Sequence, residues 1–255
     1  MSANVDTAGV AWIAGVGASA GLGAALARRF AEGGLTVALT GRTAAQVETI
    51  VGEIQHSGGR AVALTGDIAD AHDAQRLAGA LAPLGPLRAA VFNAGNAVRG
   101  TALELSPEQF EATWRGSTFA GFVFAQHALR GLLANGSPID SPQGRGSLVF
   151  TGATASLRGG AKFAAFASAK AGLRSLAQSL ARDVGPQGVH VAHVVIDGGI
   201  DGEKLRRNAP KRVIDAGDDG LLDPAAIADA YWQLHRQHRS AWTLELDLRP
   251  FKEPF

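Results

Sequence analysis

Glycines at positions 15, 17, 21 and 23, with Ser19 among them, are spaced to close a backbone cradle around a pyrophosphate. Without side chains, glycines let backbone N–H groups approach a phosphate closely, and a helix starting from such a turn aims its positive end and unpaired donors at the anion. Two spacings overlap here. Gly15-x-Gly17-x-x-Ala20 fits the general dinucleotide fingerprint, and Gly17-x-x-x-Gly21-x-Gly23 is a wider form. Either requires a strand before the turn and a helix after it. The apolar run Val10-Ala-Trp-Ile-Ala14 predicts the strand, and Leu22, Leu26 and Phe30 recur at helical spacing immediately afterwards.

The rest of the chain repeats that alternation. Strands are expected at 36–40, 60–66, 87–92, 146–152, 189–196 and 241–248. Between them lie amphipathic helices marked by Val47, Ile50, Val51 and Ile54, by Leu77, Leu81 and Leu84, by a long pattern from Glu104 to Leu133, by Leu173, Leu176 and Leu180, and by a last helix from about Pro224. This is the pattern of a Rossmann-like, doubly wound α/β fold, a mostly parallel seven-stranded sheet with helices on both faces. Ligands of such sheets bind beyond the carboxyl ends of the strands, so the residues after each strand are the ones to inspect.

After the second strand stands Gly41-Arg42-Thr43, where an acidic residue would hold the ribose hydroxyls of NAD. No acid is present. Arg42 offers a permanent planar cation suited to a phosphate, which favours NADP(H) over NAD(H), although a solvated Arg at a helix start reads the same way. Asp67-Ile68 after the third strand places a carboxylate and an apolar neighbour near an adenine, or simply caps a helix. Asn93-Ala94-Gly95 after the fourth supplies an amide and small residues, or merely a turn.

Together, Gly17-x3-Gly21-x-Gly23, Asp67-Ile68, Asn93-Ala94-Gly95 and Lys170 stand in an order and spacing that resemble the short-chain dehydrogenase/reductase family over nearly the whole chain. The resemblance implies a single nucleotide-binding domain over residues 1–255, a substrate lid at 203–222, and assembly as a homotetramer or homodimer. It also implies cofactor contacts from Gly17, Ser19, Gly21, Leu22, Gly23, Asp67, Ile68, Asn93, Ala94, Gly95 and Lys170, the last on the nicotinamide ribose.

The catalytic half departs from the family. Phe166 stands where the family carries its Tyr, four residues before Lys170, and Ala153 stands where it carries its Ser, with Thr154 beside it. Ser117 falls at the family's Asn, and its Pro-Gly falls on Ile196-Asp197. In the family the Tyr exchanges a proton with the substrate oxygen, Lys lowers the Tyr pKa and Ser orients the carbonyl. Phe166 keeps the ring and deletes the proton. A positioned general acid contributes a factor of roughly 10² to 10⁴, so ordinary carbonyl reduction should be severely slowed. Lys170, Thr154 and Ser117 are the remaining catalytic candidates, and Thr154 has a hydroxyl too weakly acidic to act unaided. The one Tyr, Tyr231, neighbours Trp232 in the last helix and reads as core or interface.

Composition narrows the rest. The 255 residues carry a formal charge of +1, which exerts no overall pull towards nucleic acid or anionic membrane. The absence of Cys excludes disulfides, thiolate metal sites and a cysteine nucleophile. No metal site is expected: His235 and His238 share a helix face without a third ligand and read as surface residues, and His190 and His193 point to opposite faces of a strand. The basic run from Lys204 to Arg212 is followed by Asp215, Asp218, Asp219 and Asp223, so a lid with internal charge balance is expected. Residues 134–146 form a turn-rich loop. Residues 9–27 lack a preceding Lys or Arg and are read as strand and turn, giving no targeting or membrane segment and a cytoplasmic location. The expected function is that of an NADP(H)-dependent oxidoreductase with a degenerate catalytic tetrad, transferring hydride to or from a small organic substrate that needs little proton assistance, such as an activated C=C or an iminium. The alternative is a catalytically silent NADP(H)-binding pseudoenzyme that senses or scaffolds.

Overall fold

A computed structural model describes residues 9–134 and 141–253. Seven strands form one sheet: β1 (Val10–Ala14), β2 (Thr36–Gly41), β3 (Arg60–Thr65), β4 (Leu87–Phe92), β5 (Gly146–Thr151), β6 (Val189–Ile196) and β7 (Glu245–Leu248). Their order is β3-β2-β1-β4-β5-β6-β7, and every pairing is parallel. Helices cover both faces, as Rossmann-like folds require of parallel strands. The last strand is shorter than its sequence pattern, because Arg239–Ala241 close into a turn of 3₁₀ helix.

Strand side chains alternate between two cores. Ala11 and Ile13 of β1 face one core, which is filled by α1 (Leu22–Glu32), α2 (Ala44–His56) and α9 (Pro224–Arg236). Val10, Trp12 and Ala14 face the other, filled by α3 (Ala71–Gly79), α5 (Ala120–Ala134) and α6 (Ala164–Val184). This period of two is what lets a continuous apolar run serve two layers. In the second core, Phe124 packs against Trp12 with ring centroids 4.4 Å apart and against Phe92 at 5.7 Å.

Two helices differ from their sequence patterns. The helix expected through Leu77, Leu81 and Leu84 ends at Gly79, because Pro83 cannot continue its hydrogen-bond ladder, and residues 82–84 form a 3₁₀ turn. The long pattern from 104 to 133 is α4 (Pro107–Trp114) and α5 joined by a π turn, Arg115–Phe119. Between β6 and α9 run two short helices, α7 (Glu203–Asn208) and α8 (Pro210–Ala216). Part of the loop expected at 134–146 lies outside the described residues. Among the described residues no helix is long and apolar enough to cross a membrane, and no group of three or more metal-ligating side chains is found.

Phe124 is fully buried between two aromatic partners. Phe124→Ala should therefore destabilise the fold by about 3–5 kcal/mol in urea denaturation. A loss well under ~1 kcal/mol would mean that the second core is not packed as described.

Candidate active site

The glycine turn lies where the strand order reverses, between β1 and its neighbours β2 and β4. Gly15 adopts φ +90°, and a Cβ there would lie 2.4 Å from the backbone nitrogen of Ala94. A Cβ at Gly23 would lie 2.6 Å from the Gly15 carbonyl oxygen, so α1 can start against the end of β1 only if that residue is glycine. Asn93 Nδ2 donates to the Gly15 carbonyl at 3.0 Å and ties the β4 end to the turn. Gly17 faces open space, with Gln46 Oε1 the nearest atom to a Cβ there at 3.9 Å.

The start of α1, at Gly21, has no side-chain cap. Its first N–H groups are therefore left to an external acceptor. The Gly21 N–H donates to the Ala18 carbonyl at 2.9 Å, which leaves the N–H groups of Leu22 and Gly23 as the donors that would face a dinucleotide pyrophosphate beside Gly17. The Ser19 hydroxyl is engaged within the protein. It donates to Glu53 Oε1 at 2.8 Å and accepts from Arg28 Nη2 at 2.6 Å, so it braces α1 against α2. Arg28 and Ser19 together hold the Glu53 carboxyl below its usual range.

A Cβ at Gly41 would lie 2.2 Å from the Val16 carbonyl oxygen, so the end of β2 touches the glycine turn and Arg42 stands beside it. Arg42 is exposed and has no hydrogen-bond or ion-pair partner among the described residues. After β3, Asp67 is exposed and its Oδ1 accepts from the Ala69 N–H at 3.0 Å, a local turn. The cap of α3 is Asp70 rather than Asp67. The Ile68 side chain is buried in the second core, so its backbone, not its side chain, is what it can offer an adenine.

Lys170 is buried on α6 and donates from Nζ to the Thr151 carbonyl at 2.8 Å. Burial lowers its pKa to about 8. Gly95 passes so close that a Cβ there would lie 3.1 Å from Nζ and 3.9 Å from Ser117 Oγ. Lys170, Gly95 and Ser117 thus meet, and Ser117 Oγ, inside the π turn, is buried without a hydrogen-bond partner. Phe166 lies one helical turn before Lys170, partly exposed, with its ring centroid 6.0 Å from Nζ. Ala153 and Thr154 follow β5, both partly exposed. The hydroxyl of Tyr231 donates to Thr151 Oγ1 at 2.9 Å from a fully buried ring on α9, and burial pushes its pKa up.

The sequence profile of the short chain dehydrogenase family matches residues 11–212. This chain belongs to that family. It is 31% identical over 178 residues to a short-chain dehydrogenase/reductase of Hericium erinaceus, covering 68% of each chain. Among solved structures, a short-chain dehydrogenase from Rhodopseudomonas palustris is 38% identical with a TM-score of 0.77, covering 96% of this chain and 99% of that one. A single-substitution variant of actinorhodin polyketide ketoreductase, solved with NADPH, shares the fold with a TM-score of 0.84 over 97% of this chain and 98% of its own, at 20% identity.

Sequence reasoning missed several polar groups. The His pair of β6 does split between faces: His190 stacks on Trp242, whereas His193 packs beside Gly152 with Nδ1 3.3 Å from Glu245 Oε2. Glu245 accepts two hydrogen bonds from Arg174 of α6. His235 is not a surface residue: its Nδ1 lies 2.8 Å from Ser147 Oγ, its ring packs on Phe30 and Trp232, and His238 lies beyond the helix end. In the basic run, Arg206 pairs with Asp201, ahead of residue 203, and Arg207 with Glu203, rather than with Asp215, Asp218, Asp219 or Asp223. Asp197, just after β6, binds both Thr154 and Arg249. No periodicity marks such partners in advance.

Burial lowers the pKa of His193 from its ordinary 6.5 to about 4, with the attraction of Glu245 outweighed. A histidine kept neutral by the fold contributes stability above pH 6.5, and that contribution is lost as pH falls from 6.5 towards 4. The thermal midpoint should drop across that window, with His193 responsible for on the order of 3 kcal/mol. Burial lowers His235 to about 4 as well, so His193→Gln should lessen the drop without removing it, and an unchanged acid limb in that variant would contradict this assignment.

Proposed function

We propose that this protein is an NADP(H)-dependent oxidoreductase that transfers hydride to or from a small organic substrate without the phenol its family employs. The observation that carries the reading is the bare glycine cradle with the unpartnered cation of Arg42 beside it. A guanidinium there neutralises a ribose phosphate, whereas nothing acidic is present to hold the two free hydroxyls of NAD. The nicotinamide, when bound, supplies the hydride acceptor or donor.

Lys170 anchors the nicotinamide ribose from its buried position, and Gly95 lets the backbone pass close to its Nζ. Asn93 and Ala94 hold the turn in shape. Residues 203–222 act as the lid, and Lys204 Nζ reaches Asn96 Oδ1 at 2.8 Å across the cleft mouth. Ser117, Ala153 and Phe166 stand for the family's Asn, Ser and Tyr, which leaves a degenerate tetrad whose only retained member is Lys170. The sequestered hydroxyl of Tyr231 favours a second reading, a silent NADP(H)-binding protein, because that phenol cannot stand in for the missing one.

Calorimetric titration should find NADPH bound more tightly than NADH, and Arg42→Ala should erase the preference by weakening NADPH about tenfold or more. Screening alcohols with NADP⁺, and carbonyls, enones and imines with NADPH, should then find turnover in at least one class. Tight binding with no turnover in any class would decide for the silent reading, and no binding of either nucleotide would remove both. Phe166→Tyr with Ala153→Ser should raise carbonyl reduction by a factor of roughly 10² to 10⁴.

A further inference from the structure

Thr154 and Asp197 form a pair that the reading above leaves unused. Thr154 follows Ala153 beyond β5 and is partly exposed, whereas Asp197, the first residue beyond β6, is only 3% exposed. Thr154 Oγ1 donates to Asp197 Oδ1 at 2.5 Å, and Arg249 Nη2 donates to Oδ2. Burial by itself would raise the Asp197 carboxyl. The hydrogen bonds from Thr154 and Arg249, with the charges of Arg249 and Arg158, overcome that and hold it below the usual range. An ionised carboxylate only accepts, so the Thr154 proton is committed to Asp197 and the lone pairs of its oxygen are what the hydroxyl offers to anything else.

The two positions where the family carries hydroxyl donors supply none here. Ala153 and Phe166 carry no polar side-chain atom. Lys170 Nζ is turned to the Thr151 carbonyl and the Tyr231 hydroxyl to Thr151 Oγ1. A ketone oxygen placed against Thr154 would meet lone pairs, whereas an alcohol would meet an acceptor.

We propose that Thr154, backed by Asp197, accepts the proton of a substrate hydroxyl, so that this chain takes alcohols and oxidises them. The proposal rests on the NADP(H) reading, which supplies the oxidant. The alcohol O–H bond breaks and its proton passes to Thr154 Oγ1 while the proton of Thr154 passes to Asp197 Oδ1. The carbinol C–H bond breaks as hydride leaves to oxidised nicotinamide, and the two electrons of the O–H bond become the new C=O π bond. Protonated Asp197 then releases its proton to solvent. Thr154 is the catalytic residue in this scheme, and Asp197 and Arg249 are positioning residues that set which way its hydroxyl points.

The test uses the full chain loaded with NADP⁺. Saturation-transfer NMR with benzyl alcohol, benzyl methyl ether and benzaldehyde should show the alcohol bound at least several-fold more tightly than the two ligands that cannot donate. Thr154→Val should erase that selectivity and Thr154→Ser should keep it. Oxidation of benzyl alcohol, cyclohexanol and isopropanol, followed by NADPH fluorescence, should fall about 10²-fold or more in Thr154→Val and recover in Thr154→Ser. Asp197→Asn should lower kcat with little change in KM, and its NADP⁺ affinity and thermal midpoint show whether the variant is folded. Equal binding of all three ligands, wild-type rates in Thr154→Val, or enone reduction without any alcohol oxidation would overturn the proposal while NADP⁺ binding leaves the parent reading standing. A wild-type chain that binds no NADP⁺ would sink both.

Discussion

The absence of room for a Cβ where β1, β4 and α1 converge is the constraint on which the site depends. Gly15 turns with positive φ against Ala94, Gly23 rests on the Gly15 carbonyl, and Asn93 hydrogen-bonds that same oxygen. One carbonyl thus fixes the start of a helix and the ends of two strands. Any side chain at these positions would force the helix away from the sheet, and the open donors of its first turn would no longer face the crevice.

Because the sheet is parallel throughout, everything that follows a strand arrives on the same edge. Thr151 shows how closely that edge is cross-linked: its carbonyl accepts a hydrogen bond from Lys170 of α6, and its hydroxyl oxygen accepts one from Tyr231 of α9. The two helices belong to different cores, so the residue couples both layers at the floor of the cleft. Buried polar groups of this kind are costly unless paired, and here the Lys170 ammonium and the Tyr231 hydroxyl each have an acceptor on Thr151.

Much of the architecture was legible in the sequence, for physical reasons that can be named. Val10 to Ala14 reads as a strand because both of its faces are buried, and Leu22, Leu26 and Phe30 read as a helix because only one of its faces is. The glycines of the cradle were legible because backbone geometry demands them. Side-chain direction was not. The Ser19 hydroxyl is engaged with Glu53 and Arg28, and the Ile68 side chain fills a core, which leaves their backbone to any ligand. His235 reads as a surface residue at the end of a helix, yet Phe30 of α1 and Ser147 of β5 meet it from other elements, with Trp232 of its own helix beside it. Asp197 stood in the sequence as a mere departure from a motif. Its meaning depends on Thr154 and Arg249, forty-three and fifty-two residues away in opposite directions.

The contact between Arg249 and Asp197 also orders events during synthesis. Pro250 leans on Gly198, where a Cβ would lie 2.7 Å from its ring, so the turn after β6 has its final surroundings only once the segment after β7 has docked. The Thr154–Asp197 side of the cleft is therefore complete only once residue 249 has left the ribosome, and the first core waits likewise for α9 to pack on α1.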